Sequence, residues 1–253
     1  MDPGTSTGAA ADGGLRLLYR PVMNLSNGRI TAVSPVVSTG DGASLTPADI
    51  WDRWPDLGFE LLERVASDVA QWRDAGSALT LIVPVTASLL DERLARNMYA
   101  SLRNAELSME DLVVEVDAEV FGDEDRTALW AVQDLTSLGA RVAASRFGEG
   151  PWPVNGMIEA GASQLVLDMN SVKVPGDSDA LAAAIVSTGK ALGWAVRAEN
   201  VTRVAELSFL TKIKCEFAQG DRLAPATAAE GITAHLQAQR AAAPATAELT
   251  ETG

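Results

Sequence analysis

An amphipathic helix pattern, then a glycine, then a short apolar run: this unit recurs along the chain and leaves few folds open to it. Residues 59–74 carry Leu62, Val65, Val69 and Trp72 at helical spacing, and Gly76 precedes the run LTLIVPV. Leu129, Val132, Leu135 and Leu138 form a second stripe, followed by Gly139 and ARVAA. Leu181, Ile185, Thr188 and Leu192 form a third, followed by Gly193 and WAVRA. A glycine at that place suits the end of a helix. Further runs are LRLLY, RITAV, DLVVEV and SQLVLD, short and mostly not alternating, as in strands covered on both faces. Strands alternating with helices predict βαβ units and a parallel sheet. About seven or eight such strands in one domain favour a closed α/β barrel of the TIM type, and 253 residues leave room for one.

The start departs from the pattern. In LRLLYRPVMNLSNGRITAVSPVV two runs are joined through Asn27-Gly28, a strong hairpin signal. The first strand is therefore expected to be antiparallel to the second, which an ordinary βα barrel does not allow. Residues 1–14, rich in Gly, Ala, Ser and Thr and without a basic start, read as a flexible leader rather than a signal peptide. Residues 15–239 form the expected barrel domain, and residues 240–253 a disordered, small-residue tail.

Charge narrows the partners. With 20 Lys+Arg against 34 Asp+Glu the formal net charge is −14, which repels phosphate backbones and anionic lipid. Neither nucleic acid nor a membrane is an expected partner, and no apolar run reaches the roughly 18 residues of a spanning helix. A single cysteine, Cys215, rules out an internal disulfide framework and fits a reducing, cytoplasmic setting. A single histidine, His235, rules out zinc sites built on several histidines.

The hairpin resembles the opening of the EAL domain, a bacterial cyclic di-GMP phosphodiesterase family that begins Y-Q-P-I-x-x-L-x-x-G-x-I-x-G-x-E-A-L. Tyr19-Arg20-Pro21-Val22, then Leu25, Gly28 and Ile30, carry the match. Leu45-Thr46-Pro47 resembles the family's I-x-P, Phe147-Gly148-Glu149-Gly150 its F-G-T-G, and Leu167-Asp168 the end of its K-I-D. Ala198-Glu199-Asn200-Val201 is similar to A-E-G-V, and Gln219-Gly220 to the late Q-G. Order and spacing of these motifs span nearly the whole folded region. The resemblance implies a modified (β/α)8 barrel with an antiparallel first strand and, for active members, hydrolysis by two divalent ions held on carboxylates and an Asn at the strand ends.

Carried over position by position, the resemblance implies that most of that machinery is gone. The Glu of E-A-L falls on Ser34, and the metal-binding Asn on Pro84, which has no side-chain oxygen. The first Glu of E-x-T-E survives as Glu115, while its partner falls on Ala118, with Asp117 beside it. The Asp pair of D-D-F-G falls on Ser145 and Arg146, and the lysine of K-I-D on Val166. Asp168, Glu199 and Gln219 are retained. The Arg that grips a phosphate after E-A-L falls on Ser38, and the guanine-contacting Gln on Arg20. Losing a bidentate phosphate clamp speaks against cyclic di-GMP binding, although Arg20 and Arg146 are candidate replacements. Arg146 is expected to turn into the barrel mouth and pair with Glu115 or Glu199 in place of a metal, because a buried carboxylate without a partner is costly; the alternative is that it reaches solvent.

Other features carry less. Trp152, between Pro151 and Pro153, stands where the family has a loop linked to dimerisation, and is a candidate partner surface. Trp51 and Trp54 suit packing near the first helix. His235 reads as a solvated helix residue, Cys215 as a packed, inert thiol, and Asp123-Glu124-Asp125 as a helix N-terminal cap. Gly148-Glu149-Gly150 is too short and acidic to cradle phosphate. The expectation is a cytoplasmic regulatory or scaffolding barrel, with no catalysis and no cofactor, acting through an unidentified protein partner or a homodimer. A cyclic di-GMP receptor without hydrolysis is the first alternative, and a phosphodiesterase with a rebuilt site the second. The GGDEF, PAS or receiver domain often joined to such barrels is not in this sequence, so input or output is expected from a partner in trans.

Overall fold

The computed structural model describes residues 14–53, 55–122, 126–146, 152–171 and 178–242. The expected leader up to residue 13, Trp54, the acidic run 123–125, the motif 147–151 and the tail from residue 243 lie outside the described residues. The strands are β1 (Arg16–Asn24), β2 (Ile30–Ser38), β3 (Thr80–Pro84), β4 (Leu112–Asp117), β5 (Arg141–Ser145), β6 (Gln164–Asp168), β7 (Ala195–Glu199) and β8 (Phe217–Ala218). They close into a barrel in sequence order. β1 runs antiparallel to both β2 and β8, and the remaining neighbours pair in parallel.

The hairpin explains that exception. Between β1 and β2 the Gly28 amide donates to the Asn24 carbonyl at 2.8 Å, and the Arg29 amide to the Asn27 side chain at 2.9 Å, so the chain reverses within a few residues. Elsewhere helices make the crossovers: α1 (Pro47–Trp51), α2 (Pro55–Asp74), α3 (Leu94–Asn104), α4 (Thr127–Ser137), α5 (Val154–Glu159), α6 (Ser178–Leu192), α7 (Val204–Lys212) and α8 (Ala229–Ala241). α2 buries Leu62, Val65, Val69 and Trp72, the stripe seen in the sequence. Gly139 and Gly193 take φ of 100° and 71° after α4 and α6, a conformation that a side chain with a Cβ resists.

The pleat sorts the strand residues into two sets. Leu81, Val83, Val114, Val142, Leu165, Leu167 and Val196 belong to the large core shared with the helices. The other set faces the barrel axis. Val22, Ala32, Ile82, Val113, Ala143 and Val166 form a separate apolar cluster there, with Phe217 packed on it. By the same alternation Arg20, Ser34, Pro84, Glu115, Ser145, Asp168, Glu199 and Gln219 face the axis two residues further along, toward the mouth. The registers agree: Arg20 opposes Ser34, Pro84 lies beside Glu115, Asp117 beside Ser145, and Asp168 beside Glu199.

Candidate functional site

Four of these side chains, Pro84, Glu115, Ser145 and Glu199, line a cavity of about 850 Å³ at the mouth, whose wall also includes Asp117, Glu119 and Arg146. Pro84, Glu115, Asp117, Ser145 and Glu199 lie in the second halves of their strands, Arg146 just beyond β5 and Glu119 in the turn after β4, so several of the positions that the sequence singled out do converge. What they offer chemically differs from strand to strand.

Pro84 ends β3, and its carbonyl accepts the indole N–H of buried Trp51 at 2.8 Å. Ala118 begins the 3-10 turn Ala118–Gly122 and packs into the outer core, so Asp117, not its neighbour, faces the mouth. Asp168 is fully engaged locally: Oδ1 accepts from the Asn200 side chain at 2.7 Å and the Asn170 amide at 2.8 Å, and Oδ2 from Ser171 at 3.1 Å. Ser38 is buried at the far end of β2, opposite Arg16 and two pleats beyond Ser34, where it bridges to Ser44. Arg20 approaches Asp221 at 3.7 Å, and its Nε is buried without a partner.

One expectation about charge needs correction. Arg146 does not pair with Glu115 or Glu199. Its Nη1 donates to Asp117 Oδ2 at 2.9 Å, and its side chain stays 58 % exposed at the rim. The cause is local: β5 ends at Ser145 and Arg146 adopts φ 53°, which turns its side chain off the strand line. The partner of Glu115 is Arg197, a residue the sequence reading passed over. Arg197 is 3 % exposed, and its Nη2 holds Glu115 Oε2 in an ion pair. Its Nη1 donates to Gln219 Oε1 at 3.1 Å, and Gln219 Nε2 in turn reaches Glu199 Oε2 at 3.3 Å. The signal was present in WAVRA, a charged residue inside an apolar run and in pleat phase with Glu199.

Glu199 bears the consequence. Burial disfavours its charged form, the negative charge of Glu115 adds to this, and Arg197 only partly opposes them; its carboxyl is pushed up to about 7. Asp168 also raises it, and Arg20 lowers it.

Such a donor set does not fit a pair of divalent ions. Hard cations take about six or more oxygen ligands. Among the described residues no group of three or more Asp, Glu, His or Cys side chains is arranged to hold a metal ion. Pro84 and Ala118 offer no side-chain oxygen, Ser145 offers a neutral one, and Glu115 already faces a guanidinium. At about 4 Å a fixed guanidinium repels a divalent ion by several kcal/mol even at an effective dielectric near 20.

The remaining candidates are placed as follows. Trp152 is 38 % exposed just before α5, next to Pro153 on the cavity wall. Cys215 is buried, with its thiol pushed up to about 11 by burial, and His235 lies on α8 with Nδ1 against the Gly231 carbonyl at 2.8 Å. No described helix is long and apolar enough to cross a membrane.

A model of the EAL domain matches residues 7–226. The chain is 29% identical over 160 residues to cyclic di-GMP phosphodiesterase PdeR of Escherichia coli, covering 62% of this chain and 24% of that protein. It is 27% identical over 187 residues to the bifunctional diguanylate cyclase/cyclic di-GMP phosphodiesterase MucR of Pseudomonas aeruginosa, covering 71% and 27%. The chain thus spans about a quarter of the length of these relatives. Among solved structures, the PaMucR phosphodiesterase in complex with c-di-GMP superposes with a TM-score of 0.78 at 24% identity, covering 86% of this chain and 94% of that one.

Proposed function

The chain belongs to the EAL domain family, and from that premise we propose that it is a non-catalytic member, a regulatory or scaffolding barrel that acts by contact with another protein. The donor set at the mouth carries this reading: strand ends that present Pro84, Ser34 and Ser145, with Glu115 and Asp117 already bound by Arg197 and Arg146. Barrel and packing are nonetheless intact, so what the sequence has given up is local to the mouth. Fold alone does not fix function, and the proposal rests on the site.

The same side chains argue against the receptor alternative. Arg20 and Arg146, the candidate phosphate partners, lie against Asp221 and Asp117. A bis-anionic dinucleotide would have to displace those carboxylates and approach Glu115 and Glu199. Exposed Trp152 at the rim is the candidate anchor for a protein partner, since aromatic side chains are enriched at interface hot spots. A second copy of the chain is one such partner. A cytoplasmic setting accords with the single buried Cys215.

Incubation of the chain with cyclic di-GMP and Mg²⁺ or Mn²⁺, followed by chromatography for the linear dinucleotide, is expected to show no turnover above the protein-free control. Calorimetric titration with the same nucleotide is expected to give no heat of specific binding. Micromolar binding without turnover would favour the receptor, and turnover would establish a rebuilt active site.

A further inference from the structure

We infer that Arg197 is the barrel's resident cation: its guanidinium takes over the neutralising role that divalent ions would otherwise fill between Glu115 and Glu199, and makes the fold independent of metal. The inference rests on the non-catalytic reading and extends it to the residue that maintains the altered mouth.

Placement is the first argument. Along the barrel axis, the layer below the mouth is formed by Val22, Ala32, Ile82, Val113, Ala143 and Val166, and Phe217 packs on it. β7 contributes Arg197 at this level, directly beside Val166 of β6 and Phe217 of β8. A guanidinium in an apolar layer is costly unless paired and hydrogen-bonded. Here its two terminal nitrogens are paired upward, Nη2 with Glu115 of β4 and Nη1 with Gln219 just after β8, while Nε is buried without a partner.

Connectivity is the second. Gln219 relays the contact to Glu199, so one side chain ties β4, β7 and the residue that follows β8. Val166, where the resemblance places a lysine, is apolar, and the cation at that height stands one strand over, in register with it. Glu115 and Glu199 are then structural partners of Arg197 rather than ligands in waiting. Arg197 is a positioning residue that touches no substrate in this account.

Thermal unfolding of the full chain, with and without millimolar Mn²⁺, tests the inference. The parent chain is expected to shift by less than about 1 °C on adding Mn²⁺. Arg197→Met, which keeps the bulk and removes the charge, is expected to lose roughly 5–10 °C in Tm and to regain part of that loss in millimolar Mn²⁺, acting as one weakly held counter-ion beside Glu115 and not as a ligated pair. Arg197→Lys retains the cation and is expected to remain indifferent to Mn²⁺. If Arg197→Met fails to fold, Glu115→Gln combined with Arg197→Met is expected to fold again, because the carboxylate that Arg197 paired directly is removed with it. An Arg197→Met variant as stable as the parent and unresponsive to Mn²⁺, a lysine variant that responds as the methionine variant does, or a double variant no better folded than the single one would each overturn the inference. Hydrolysis or Mn²⁺ binding by the unaltered chain would instead count against the non-catalytic reading, which keeps the two failures apart.

Discussion

Tyr19→Ala is expected to lower the free energy of unfolding by about 3–5 kcal/mol, as for other large aromatic deletions from a packed core. Tyr19 is 1 % exposed on the outer face of β1. Its hydroxyl donates to Asp68 of α2, and its ring meets Trp72 edge-on with centroids 5.1 Å apart. Trp72 in turn donates to Thr233 of α8 at 2.9 Å. The Tyr19 backbone exchanges hydrogen bonds with Thr227 at 2.7 and 3.0 Å. One side chain therefore joins the first strand, the first long helix and the last helix. Tyr19→Phe keeps the ring but takes the hydroxyl from Asp68, itself 7 % exposed, and is expected to cost about 1–3 kcal/mol. Burial, then the bond to Asp68, pushes the phenol far above its ordinary range, so it remains a donor at every accessible pH. Urea unfolding followed by circular dichroism checks both substitutions; a change below about 1 kcal/mol for alanine would contradict the packing described.

The second large effect is a pH dependence with an unusual sign. Most carboxylates in folded proteins are stabilised when charged, and stability falls as pH drops. Glu199 is the reverse: its folded carboxyl is pushed up from 4.5 to about 7 by burial and by Glu115. The folded state then binds more protons than the unfolded state between those values, so this group's contribution to stability decreases as pH rises through the interval and levels off above it. The full swing is about 3 kcal/mol at most. Glu199→Gln removes the ionisation while keeping an oxygen for Gln219. It is expected to be more stable than the parent by about 1–3 kcal/mol at pH 8 and equal to it near pH 4.5. Denaturant unfolding across that range measures the difference. A constant difference at all pH values would show that Glu199 titrates normally.

How much of this was legible in the sequence follows from the length of the signals. The helix–glycine–strand unit and the Asn27-Gly28 hairpin led to a closed barrel with a reversed first strand, because each spans enough residues to set a period or a turn. β8 escaped notice: Phe217–Ala218 is two residues long, too short for any period. Convergence of the strand-end residues was also legible, since the pleat carries Glu115, Asp168, Glu199 and Gln219 to one face once the strands are placed. Side-chain partners were not. Arg146 looked like the internal cation from its position after β5, but a positive φ, invisible in the sequence, sent it to Asp117 at the rim. Arg197 falls on none of the family's motif positions, since it lies two residues before Glu199. A charge in an apolar strand that points at surviving carboxylates was the available clue.

Whether the barrel mouth can hold divalent ions at all separates a non-catalytic barrel from a phosphodiesterase. Titration of the full chain with Mn²⁺, read by the loss of the free-ion paramagnetic resonance signal with and without cyclic di-GMP, measures this directly. No bound ion up to millimolar concentration is the predicted result. Two ions bound per chain at micromolar concentration would contradict it.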